Sequence, residues 1–212
     1  MAASRKQVRI LCFRHDTCHP TTDILCLDVP PTCPLCSRPI QTLLDPPFAI
    51  PYPFVDGHSR PFSMVVKPTR GSFLSDYRRS DDLHVGVTNS EKVVFNFDET
   101  GVHRDTTGWE ECITVRLLQD KDFELRECWD KRLNNYGLCW RPESYDEKDN
   151  NCFDFVLGFL RYVGYDYVNT EALRSRPEFC KTMVLPQGVK AGRYIDLFRR
   201  LEREGFVVDK TL

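Results

Sequence analysis

Apolar side chains at positions 153, 156, 157, 160 and 163 recur at the three- and four-residue spacing of one helix face, which predicts a core helix opening at Cys152. Asn150 or Asn151 stands where a side-chain oxygen caps a first turn. Upstream the period changes. Residues 83–88 (Leu-His-Val-Gly-Val-Thr) and 93–97 (Val-Val-Phe-Asn-Phe) flank a polar Asn-Ser-Glu-Lys stretch and predict two strands joined by a turn. In the first strand His84 and Gly86 share a face, with Leu83, Val85 and Val87 on the other; in the second, Val94 and Asn96 share a face. Antiparallel pairing then makes Asn96 a cross-strand neighbour of His84.

The same reading predicts strands over 8–13, 24–29, 62–67, about 101–104, and within 109–118. Asp122 predicts an N-cap for a helix over 123–136, ended by Gly137. Further helices are expected near 170–174, 177–183 and 188–203, the last with Ala191, Tyr194, Ile195, Phe198 and Leu201 as its apolar stripe. Prolines between 41 and 61 predict an extended connection. The fold class is therefore α+β: an antiparallel sheet of about five strands packed on the cysteine-bearing helix, preceded by a small Cys-rich β-hairpin. The expected division is a Cys-rich lobe over 1–45 and a larger α+β domain over 46–212.

Composition narrows the function. In 212 residues, 29 Lys and Arg are set against 31 Asp and Glu, interspersed, for a net charge of −2. No basic field builds up, so no nucleic-acid partner is expected. No run is apolar enough to span a bilayer, and the start lacks the apolar core of a secretory signal. The expected location is intracellular, cytosolic or nuclear. There the ten cysteines are expected as thiols, not disulfides. Five of them lie in the first 36 residues. His15 and Cys18, like Cys33 and Cys36, are each separated by two residues. Two such knuckles on a hairpin can bring four ligands to one tetrahedral ion, which points to one structural zinc. In the first knuckle Cys12, His15, Cys18 and His19 compete for two places.

A cysteine in the first turn of a helix sits in the partial positive charge of the helix terminus, which favours thiolate. Cys152 then needs a base and an orienting group, and His84 and Asn96 are the candidates. Asp146, Glu147, Asp149 and Asp154 crowd the cysteine with negative charge and oppose its ionisation. The order of strand histidine, polar residue twelve positions on, then Asn151-Cys152-Phe153-Asp154-Phe155-Val156 resembles the circularly permuted papain-like families, among them lecithin:retinol acyltransferase-like and NlpC/P60-like proteins. Asn96 stands where the acyltransferases carry a second histidine, and the charged segment 201–212 stands in place of their membrane anchor. The resemblance covers about residues 60–165. It implies a permuted papain-like core and a thiol hydrolase or acyl/peptidyl transferase acting on a thioester, amide or isopeptide. The alternative is a non-catalytic adaptor on a degenerate scaffold, docking an unidentified protein partner, with Cys152 as a packing residue. Cys33-Pro34-Leu35-Cys36, 150–160 and 191–201 also resemble the makorin-2 opposite-strand family, which implies no particular chemistry.

Overall fold

The computed structural model describes residues 9–15, 18–41, 43, 45–165 and 171–209, with the backbone alone at His19 and Asp209. The chain forms two compact units, one from residues 1–52 and 192–212, the other from residues 53–191.

The first unit is built on an antiparallel pair, β1 (Leu11–His15) and β2 (His19–Cys26), with Leu11 opposite Cys26 and Phe13 opposite Ile24. Short β3 (Phe48–Ala49) flanks β1, and β9 (Phe206–Asp209) flanks β2, giving the order β3-β1-β2-β9. The second strand was expected over 24–29. It runs instead from His19 to Cys26, and within it Asp23 accepts from Arg14 Nε at 2.6 Å. Phe13, Ile24, Cys26 and Cys33 form the apolar centre, joined by Leu35, Ile40 and Phe206. From Gly192 onward α4 (Leu185–Glu204) belongs to this unit, and its Tyr194, Ile195, Phe198 and Leu201 are buried as the stripe predicted.

The second unit carries a five-stranded antiparallel sheet of order β7-β6-β5-β4-β8: β4 (Ser63–Pro68), β5 (Leu83–Thr88), β6 (Val94–Asp98), β7 (Gly101–Asp105) and β8 (Ile113–Arg116). One face carries Val65, Val94, Trp109 and Cys112, which cluster as a buried core. The opposite face takes α2 (Cys152–Tyr162) against β5 and β6. There Phe155 stands 6.2 Å from the Phe97 ring, and Phe159 meets Trp129 of α1 (Phe123–Gly137) edge-on at 4.8 Å. Trp129 Nε1 also donates to the Thr88 carbonyl at 3.0 Å, pinning α1 to the end of β5.

Three local expectations change. Asp122 flanks α1, but its carboxylate takes the Gln119 N–H at 2.6 Å and makes no cap bond. The expected helix near 170–174 falls partly outside the described residues, and 171–173 form a turn. Finally, α3 (Arg176–Phe179), a π-turn (Cys180–Val184) and α4 follow one another directly, so the last helix starts three residues before its expected onset. Among the described residues no helix is long and apolar enough to cross a membrane.

Candidate functional site

Cys152 is the first residue of α2 because the turn before it is capped locally. Asn151 Oδ1 accepts the Phe153 N–H at 2.9 Å, and Asp154 Oδ2 accepts the Asn151 N–H at 3.0 Å, a reciprocal capping box. His84 is the second residue of β5, and its Nε2 lies 2.9 Å from Asn96 Oδ1. The strand register sets Asn96 opposite Gly86, two positions from the expected pairing, so the bond to His84 runs diagonally across the ladder. His84 and Asn96 share the Trp109 face of the sheet; the His84 and Trp109 rings are 5.7 Å apart. Phe97, next along β6, turns to the face that α2 covers.

The helix that opens at Cys152 packs on the face of the sheet opposite the one that carries His84 and Asn96, and Cys152 and His84 both border one cleft at the open end of β5. The cleft, of about 1030 Å³, is lined by His84, Asn151, Cys152 and Phe153, with Tyr145, Asp98 and Glu147 among its walls. Among the described residues no hydrogen bond joins the Cys152 sulfur to the His84 ring. Burial pushes the Cys152 thiol up to about 11, while the backbone N–H groups of Val85, Phe153 and Cys152 itself act in the other direction. Burial likewise lowers the His84 pKa, partly offset by its bond to Asn96. Acidic crowding is thus a small effect beside burial. Asp154, the nearest carboxylate in sequence, is itself paired, with Arg176 Nη1 at 2.8 Å.

Two groups escaped the sequence reading. Asp105 Oδ2 accepts from Asn96 Nδ2 at 2.8 Å and from Trp109 Nε1 at 2.9 Å. The signal was present in principle: Asn96 pairs with His103, which makes Asp105 its diagonal neighbour on β7. Reading it required the register of a third strand.

A second cluster lies in the first unit. Ligand atoms of His15, Cys18, Cys33 and Cys36 all fall within 4.8 Å of one another. His15 Nδ1 is 3.1 Å from Cys18 Sγ and 3.5 Å from Cys36 Sγ, and the Cys18 and Cys33 sulfurs are 3.6 Å apart. Ligands about 2.3 Å from a tetrahedral zinc stand about 3.7 Å from one another, so these four could hold a metal ion. The knuckle is shaped by its backbone. Cys33 N–H bonds Arg38 O at 2.8 Å, Ser37 takes a left-handed φ of 58°, and the Arg38 N–H lowers the Cys36 pKa. Cys12 stands outside the cluster, buried in the sheet; the His19 side chain lies outside the described residues.

Residues 47–201 match the family described as DUF4796 C-terminal. The human (Homo sapiens) MKRN2 opposite strand protein is 36% identical over 191 residues, covering 87% of this chain and 84% of that protein. No solved structure matches.

Proposed function

The chain belongs to the MKRN2 opposite strand protein family, and for this member we propose a thiol hydrolase or acyl/peptidyl transferase on a permuted papain-like core. Cys152 is the nucleophile, His84 the general base, and Asn96 the group that orients the imidazole. One observation carries the reading: a histidine oriented by an amide at 2.9 Å opens onto the same cleft as a cysteine in the first turn of a capped helix. In the reaction His84 takes the thiol proton as Cys152 Sγ bonds the acyl carbon of a thioester, amide or isopeptide. The leaving sulfur or nitrogen departs with that proton. Water or an amine then gives its proton to His84 while attacking the thioester, and the regenerated sulfur takes the proton back. The thiol held at about 11 makes proton removal part of the chemical step, in place of a standing thiolate–imidazolium pair.

The test is to trap the intermediate. Incubation with a peptide thioester should add the acyl mass to Cys152, and Cys152→Ser or His84→Ala should abolish the adduct in folded protein. Acylation spread equally over Cys139 and Cys128 would remove the reading.

We also propose that His15, Cys18, Cys33 and Cys36 bind one structural zinc, supported by the 4.8 Å convergence of their ligand atoms. Metal analysis of reduced protein should give about one zinc per chain, lost in Cys33→Ser; none would sink the proposal. The ten free thiols support a reducing, intracellular compartment.

A second reading has its own support. Cys152 is only 4% exposed and its thiol is held neutral. On that reading the protein is a non-catalytic adaptor that has kept a papain-like scaffold, and the trapping experiment yields no adduct on Cys152.

A further inference from the structure

We propose that Asp105 is a positioning residue: it fixes which way Asn96 presents its amide and, through Asn96, which ring nitrogen of His84 carries the proton. The inference deepens the catalytic reading of His84 and rests on it for its use, although its physical content is independent of Cys152.

A carboxylate accepts hydrogen bonds and does not donate them. Asp105 Oδ2 lies 2.8 Å from one end of the Asn96 amide, so that end must be the NH2 group. The other end is then the carbonyl oxygen, 2.9 Å from His84 Nε2. A carbonyl oxygen only accepts, so Nε2 must carry the hydrogen. A neutral imidazole has one N–H, and burial keeps His84 neutral. The lone pair is therefore on Nδ1, the nitrogen a general base would use. Turning the amide over would set its oxygen against the carboxylate, two acceptors at 2.8 Å, and its NH2 against Nε2. Asn96 is 3% exposed, so no water relieves that conflict cheaply.

Asp105 is itself held. Its Oδ2 also accepts Trp109 Nε1–H at 2.9 Å, and Trp109 is 1% exposed. Lys67 Nζ stands 4.4 Å over the Trp109 ring and donates to the Gly108 carbonyl at 2.8 Å, which fixes the loop that carries the tryptophan. The chain Trp109–Asp105–Asn96–His84 thus runs through donors and acceptors whose directions are all determined.

The test is the tautomer of His84, read by long-range 1H–15N correlation NMR at pH 7.5 on the full chain. The wild-type ring should show the pyrrole-type signal at Nε2 and the pyridine-type signal at Nδ1. Asp105→Asn, which keeps an acceptor oxygen for both donors, should preserve that pattern. Asp105→Leu, which removes it, should shift the ring toward a mixture or the Nδ1–H form. A wild-type Nδ1–H ring overturns the proposal without any variant, which covers the case in which Asp105→Leu fails to fold. An unchanged Nε2–H ring in folded Asp105→Leu also overturns it. Failure of the enzyme reading looks different: Cys152 takes no acyl group while the His84 tautomer still answers to Asp105.

Discussion

A Cβ built on Gly86 would lie 2.6 Å from Val94 Cγ1 and 3.0 Å from the Phe95 carbonyl oxygen. The glycine lets β6 and Trp109 close over the strand that carries His84. Gly86→Ala should cost about 1–3 kcal/mol in denaturant unfolding, since backbone and a β-branched side chain must both give way. His84 yields a pH prediction whose sign follows from burial. Its folded-state pKa is held below the ordinary 6.5, so the stability it contributes is present above that pH and is lost as pH falls through the depressed value. Between pH 7 and 5, therefore, the melting temperature of His84→Gln should fall less than that of the wild type. For Cys152 the sense is reversed: its contribution holds below pH 9 and fades as pH rises toward 11. The candidate residues His84, Asn96 and Cys152 could be picked out one by one, because each sits on a short-range pattern. The dominance of burial in setting the His84 and Cys152 pKa values was not legible, since it depends on what packs above them.

At the scale of elements, α2 was legible to its first residue because cap, capping partner and apolar stripe are all local. Asn151→Ala should destabilise the protein by ~1 kcal/mol. It should also increase amide exchange in the first turn of α2, where Phe153 loses its acceptor. The β5–β6 register was not legible, because a turn decides it. Asn89 Oδ1 accepts the Val93 N–H at 2.8 Å and Lys92 adopts φ 67°, which leaves a five-residue connection and shifts Asn96 to face Gly86. The two-residue β3 and the C-terminal β9 were likewise invisible, since each exists only by pairing with a strand distant in sequence.

Across the whole molecule, the two-unit division crosses sequence order, with the chain's last twenty-one residues returning to the first unit. The spacing of His15, Cys18, Cys33 and Cys36 was legible; the choice of His15 and Cys18 over Cys12 required the strand pairing that turns Cys12 into the sheet. With zinc as a structural element, a strong chelator should raise amide exchange in 11–15, 18–26 and 32–40, as expected where metal binding supplies folding energy. The central claim concerns Cys152 and His84, and the most direct measurement is the alkylation rate of each cysteine, resolved by peptide mass spectrometry at pH 7.5 in wild type and His84→Ala. The account predicts that removing His84 slows Cys152 by about 10²-fold while leaving Cys112, Cys128, Cys139 and Cys180 unchanged. A Cys152 rate indifferent to His84 would contradict it.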